Sequence, residues 1–230
     1  MTELPSDASA PAQRRAALAW AHGARFLTTA SRLAELPAAD LPEIAFVGRS
    51  NAGKSSAINA LAQHKRLAFA SKTPGRTQHI NLFELGARDA PDARFADLPG
   101  YGYAAVARGE KLRWQQVMAD YLASRTPLAG VVLLVDSRLG LTELDERLLR
   151  FIEPRVAAGE VRLLVLLTKA DKLNHREAQA SLARVQERLG AFATEESDIA
   201  VSLFSAQQAD PVADAAVALH GWVHEPKPGT

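Results

Sequence analysis

No cysteine occurs among the 230 residues. That excludes a disulfide framework, a thiolate nucleophile, an iron–sulfur cluster and a cysteine-ligated zinc site. Long apolar runs are missing too. The longest, residues 130–135 and 163–167, have the length of a strand and fall well short of the roughly 18 residues that a membrane span requires. An export signal is not supported either, because the apolar stretch 16–21 after Arg14-Arg15 is cut by His22 and Arg25. The expectation is a cytoplasmic chain with no membrane insertion. His64, His79, His175 and His220 have no metal-ligand spacing and read as surface or packing residues. There is no internal repeat and no low-complexity tract. Nothing signals oligomerisation, so a monomer is expected.

What is present describes a soluble globular chain, 47% hydrophobic and 23% charged. Its formal net charge of +1 conceals an asymmetry. Residues 49–113 carry eleven basic and five acidic side chains, so the remainder is net acidic. A dipole of this kind suggests one face aimed at a polyanion.

Four segments are expected along the chain: a disordered lead (1–11), an N-terminal helix and linker packed on the domain (12–42), the main domain (43–223) and a disordered tail (224–230). The periodicity of 12–36 predicts one helix, with Leu18, Phe26, Leu27 and Leu33 as its apolar positions. Strand-length runs at 44–47, 80–85, 93–98, 131–136, 161–168 and 199–204 then alternate with helical segments at 52–63, 109–124, 142–158, 176–189 and 211–223. This order predicts an α/β fold, a mostly parallel six-stranded sheet with one antiparallel edge strand and helices on both faces. Ligands of such sheets sit at the carboxyl ends of the strands, where the chemically loaded segments fall.

The first is Gly48-Arg49-Ser50-Asn51-Ala52-Gly53-Lys54-Ser55, a G-x-x-x-x-G-K-S loop between a strand and a helix. Its glycines let successive N–H groups point inward at phosphate oxygens, Lys54 reaches the β- and γ-phosphates, and the Ser55 hydroxyl ligates Mg²⁺. Asp97-Leu98-Pro99-Gly100 closes the third strand. Asp97 can hold the Mg²⁺ shell through water, and the Gly100 N–H can meet a γ-phosphate. Thr168-Lys169-Ala170-Asp171 selects the base: Asp171 accepts from the ring N–H and the exocyclic amine of guanine, and the Lys169 stem lies along the purine face. Phe204-Ser205-Ala206 supplies a backbone N–H to the guanine carbonyl. Between the first domain helix and the next strand, Gly75-Arg76-Thr77-Gln78-His79 belongs to a nucleotide-sensitive loop. Thr77 is the expected second Mg²⁺ ligand, with Thr73 the alternative. The candidate catalytic residues are Lys54, Thr77 and Asn51, and the expected ligands are GTP or GDP with Mg²⁺. Lys65, Arg66, Lys72, Arg76, Arg108, Lys111 and Arg113 surround the two expected switch segments and suit RNA phosphates, though a plain solvated surface would look the same. Stacking aromatics are few: Tyr101, Tyr103 and Trp114, the last equally readable as core.

Together "GRSNAGKSSAINAL", "SKTPGRTQHINLF", "DLPGYGYA", "TKADKL" and "FSA" resemble the translation-factor-related P-loop GTPases and, more narrowly, the EngB family in the TrmE–Era–EngA–EngB branch. The resemblance implies a slow GTPase switch in late assembly of the large ribosomal subunit, with the subunit precursor and ribosomal RNA as partners and a link to normal cell division. It also implies a K⁺ site at Asn51. Tyr101 departs from the Ras pattern, which has a water-orienting glutamine there. Other readings remain open at this point: a nucleotide-gated binding module at septum or membrane with incidental hydrolysis, or a P-loop ATPase or kinase, the latter disfavoured by Asp171. Asn51 could equally serve only to stabilise its loop.

Overall fold

The computed structural model describes residues 2–3, 11–68, 79–102 and 108–225, with residues 2–3 and 108–115 described by their backbone alone. The elements in chain order are β1 (Thr2–Glu3), α1 (Pro11–His22), β2 (Arg25–Ala30), β3 (Glu43–Gly48), α2 (Lys54–Leu61), β4 (Ile80–Ala87), β5 (Ala90–Asp97) and α3 (Arg108–Ser124). They continue with β6 (Leu128–Asp136), α4 (Glu143–Ala157), β7 (Arg162–Thr168), α5 (His175–Gly190), β8 (Ile199–Leu203) and α6 (Ala209–His224). Local chemistry fixes several of these boundaries. Thr142 with Asp145 and Asn174 with Glu177 form capping boxes that start α4 and α5.

The strands join in one sheet of order β1-β8-β7-β6-β3-β5-β4-β2. The expected six-stranded core is β3 to β8, and β4 is its antiparallel edge strand. Two further strands extend it at the rims. Thr2–Glu3 pairs parallel with Ala200 and Val201 of β8, within the segment expected to be a disordered lead. Arg25–Ala30 pairs antiparallel with β4, with a register shift between Phe26 and Thr28.

The single helix expected over 12–36 is thereby corrected. α1 stops at His22, and the chain turns through Gly23 into β2. Its Thr28-Thr29 pair is β-branched, which suits a strand better than a helix. Phe26, read as an apolar helix position, is 57% exposed on this edge strand.

Alternate side chains of each buried strand feed opposite layers. Ile44, Phe46, Val132 and Leu134 pack toward α1, α2 and α6, while Ala45, Val47, Val131 and Leu133 pack toward α3, α4 and α5. β3 lies between β5 and β6, so the chain departs to one side of it and later continues on the other. The carboxyl end of β3 is therefore a topological switch point, where such sheets form a ligand crevice.

Candidate functional site

The loop after β3 begins with a close approach. A Cβ on Gly48 would lie 2.7 Å from the Leu134 carbonyl oxygen of β6, so a side chain there would force two core strands apart. Asn51 (φ 67°) and Gly53 (φ 97°) are left-handed and turn the loop over the N-terminus of α2, which starts at Lys54. The N–H groups of that first turn have no helical acceptor, so the local field favours an anion.

Lys54 is buried, and its ammonium donates to Oδ1 of Asp97, the last residue of β5. Asp97 is 1% exposed, and its Oδ2 has no hydrogen-bond partner among the described residues. Such an orphaned carboxylate oxygen, on the partner of Lys54 whose chain neighbour is Ser55, is the donor chemistry a hydrated Mg²⁺ requires, so these residues fit the ion. The next residues return to the phosphate loop. Leu98 N donates to Phe46 O (3.1 Å), Tyr101 N to Gly48 O (3.3 Å), and Ser50 N to Tyr101 O (2.8 Å). These bonds bring Asp97, Leu98, Pro99 and Gly100 against residues 48–50.

The Tyr101 side chain reaches α4. Its hydroxyl donates to Oδ1 of buried Asp145 at 2.6 Å. Oδ2 of the same carboxylate accepts from Thr142 N (2.8 Å) and Thr142 Oγ1 (2.6 Å) at the start of α4. Burial and the adjacent Asp145 push the phenol well above its ordinary range, so it remains a donor.

The end of β7 is tied to the loop from the other side. The Thr168 hydroxyl donates to Ala52 O (2.6 Å). Lys169, itself left-handed (φ 58°), donates from Nζ to Asn51 O and to Asp136 Oδ2, both at 2.8 Å. Ala170 N donates to Phe204 O (3.2 Å), and the Ser205 hydroxyl donates to Asp171 Oδ1 (2.8 Å), with Ala206 next in the chain. Ser205 and Lys172 hold the Asp171 carboxyl below its usual range, so it is an ionised, acceptor-only group.

The structure thus brings the expected residues 48–55, 97–100, 168–171 and 204–206 to one rim. Gly75, Arg76, Thr77 and Gln78 lie outside the described residues, as do Lys72, Thr73 and Tyr103 and the side chains of Arg108, Lys111, Arg113 and Trp114. His79 is described; its Nδ1 lies 2.9 Å from the Ser31 hydroxyl. Lys65 and Arg66 are exposed just beyond α2. Among the described residues, no group of three His, Cys, Asp or Glu side chains is placed to hold a metal ion by itself.

One residue at this rim escaped the sequence reading. Asp136 ends β6, is 8% exposed, and receives Lys169 together with Arg138 N (3.1 Å), Nε (2.9 Å) and Nη2 (2.7 Å). These donors hold its carboxyl far below the usual carboxylate range. A carboxylate at the carboxyl end of an apolar parallel strand was the available signal. A cavity of about 220 Å³ opens beside it, between the phosphate loop and the β6–α4 connection.

Known proteins resemble this chain in sequence and in fold. The family described as 50S ribosome-binding GTPase matches residues 43–169. The chain is similar to a probable GTP-binding protein EngB of Acidovorax ebreus, 59% identical over 207 residues that cover 90% of this chain and 91% of that relative. Two solved structures share the fold. The crystal structure of a probable GTP-binding protein engB has a TM-score of 0.60 at 19% identity, covering 80% of this chain and 100% of that one. Era in complex with MgGDPNP and nucleotides 1506–1542 of 16S ribosomal RNA has a TM-score of 0.61 at 20% identity, covering 83% and 59%. A P-loop fold and a close relative covering nearly the whole chain establish that this protein belongs to the EngB family of GTP-binding proteins, a family of GTPases.

Proposed function

We propose that this GTPase grips guanosine triphosphate at the rim formed by residues 48–55, 97–100, 168–171 and 204–206, and uses hydrolysis as a switch in late assembly of the large ribosomal subunit. The observation that carries the reading is the Lys54–Asp97 pair at the phosphate loop together with the Ser205–Asp171 pair, whose segment Thr168 and Lys169 tie to that same loop. The base end would read guanine through the Asp171 carboxylate, which meets two N–H donors that adenine lacks. At the phosphate end, Lys54 exchanges Asp97 for phosphate oxygens while the loop N–H groups fix their orientation. Ser55, Asp97 through water and, by extension, Thr77 would hold Mg²⁺, which when bound neutralises charge on the β- and γ-phosphates.

The Tyr101 hydroxyl faces Asp145, so this position offers the attacking water no amide. Slow turnover follows, to be raised by a cation near Asn51, which is exposed at the tip of the loop. The basic excess over residues 49–113 supplies charge for ribosomal RNA phosphates. The 50S-ribosome-binding description of the family and the rRNA fragment bound to Era support that direction. Cytoplasmic action accords with it, and among the described residues no helix is long and apolar enough to cross a membrane.

Co-sedimentation with large subunits tests the role. Binding is expected with a non-hydrolysable GTP analogue and not with GDP, and equal recovery in both states would overturn the switch. Turnover in KCl should exceed that in NaCl; equal rates would remove the monovalent cation. ATP should fail to displace labelled GDP, and Asp171→Asn should weaken GDP binding by at least roughly a hundredfold.

A further inference from the structure

Three neighbouring strands end at one polar junction. β7 delivers Lys169, β6 delivers Asp136, and the loop after β3 delivers the Asn51 carbonyl. Asp136 pairs in register with Thr168, so it stands beside the base-reading segment. A lysine stem has four rotatable bonds and, left to itself, explores many conformers, which ligand binding would have to freeze at an entropic cost. Here its ammonium is fixed by two oxygens at 2.8 Å, and one of them belongs to a carboxylate that Arg138 fixes in turn through three donors.

We propose that Asp136 is a positioning residue for nucleotide recognition: it holds Lys169 across the phosphate loop, so that base-reading segment and phosphate loop bind guanosine nucleotides as one pre-formed unit. The inference rests on the reading that Lys169 borders the purine. Asp136 contacts Lys169 and Arg138 and acts on the nucleotide only through Lys169. Its effect therefore falls on features shared by GDP and GTP and leaves discrimination of the γ-phosphate alone. Removing the carboxylate leaves Lys169 the neutral Asn51 carbonyl as its one remaining anchor among the described residues, a loss of a charge-assisted contact.

A double-mutant cycle on the full chain tests this, with dissociation constants for fluorescent GDP and GTP analogues as the readout. Asp136→Asn should weaken both nucleotides equally, by about tenfold, the scale of one hydrogen bond to a charged group. In a Lys169→Met background, which keeps an apolar stem and has no ammonium to hold, adding Asp136→Asn should change affinity by less than about twofold. Additive losses would overturn the proposal, because an Asp136 that merely stabilises the fold lowers melting temperature and active fraction without coupling to Lys169. If Asp136→Asn does not fold, the cycle is run with Arg138→Ala, which loosens Asp136 from its exposed side; coupling of the same sign is expected, and additivity again overturns it. Absence of guanosine nucleotide binding by the unmodified chain would instead defeat the functional reading itself.

Discussion

The hydroxyl of Tyr101 donates to a carboxylate that also caps α4, so one side chain links the end of the D-x-x-G turn to a helix 44 residues further on. The bond is buried, with Tyr101 8% and Asp145 1% exposed. Tyr101→Phe keeps the ring and deletes the donor. A loss of about 1–3 kcal/mol in unfolding free energy is expected, measured by urea titration. Stability equal to that of the parent would show that the bond contributes nothing. The same pair shows how far single residues were legible. The phosphate loop and Thr168–Asp171 could be read because their geometry is written within eight consecutive positions. The roles of Asp145 and Asp136 could not: their local partners, Thr142 and Arg138, signal only a cap and a turn, and the contacts that tie them to the site, Tyr101 and Lys169, lie 44 and 33 residues away.

At the scale of elements, the far end of α3 is anchored by a buried polar network. Glu43, fully buried at the start of β3, accepts from Arg125 Nε (2.8 Å) and Nη2 (2.6 Å) and from the Tyr121 hydroxyl (2.6 Å). Arg125 also donates to Pro37 O, and Arg94 joins through Asp40, so the linker before β3 is tied in as well. The Glu43 carboxylate raises the affinity of Arg125 for its proton, and burial keeps Tyr121 protonated. Glu43→Gln keeps the shape and leaves the guanidinium without its charge partner. A destabilisation of about 3–5 kcal/mol is expected by the same titration, and a change below about 1 kcal/mol would mean that water reaches the site.

Element order was legible because apolar runs and caps are local signals. β2 was not. Phe26, Leu27 and Leu33 fit a helical period as well as a strand, and the deciding partner is β4, more than 50 residues away. The two-residue β1 is too short for any periodicity.

For the whole molecule, acid should loosen the fold in two steps. Burial lowers the proton affinity of His22 and, together with the facing His224, of His220; Asp92 and Glu225 act on His220 in the opposite sense. A histidine depressed below its unfolded value contributes stability above about pH 6.5 that is lost as pH falls. Asp136, also depressed, loses its contribution only below about pH 4. Asp214, raised by burial, acts in the opposite sense, and its contribution grows as pH falls toward about 4, ahead of that second step. The midpoint of thermal unfolding should therefore decline from pH 7.5 to 5 and again below 4. A midpoint that rises between pH 7.5 and 5 would contradict this assignment.

The shifted register between Phe26 and Thr28 bears on how molecules meet at high concentration. An outermost strand is a template for a neighbour's backbone, and its hazard grows with length, flatness and apolar side chains. β2 is six residues long and carries an exposed phenylalanine, so an unbroken version would invite a second chain to add itself. The irregularity interrupts the hydrogen-bonding pattern after two residues and twists the rest. At the opposite rim the described part of the outermost strand is Thr2–Glu3. The β2 flank is thus a poor seed for edge-to-edge aggregation, a safeguard built into backbone spacing.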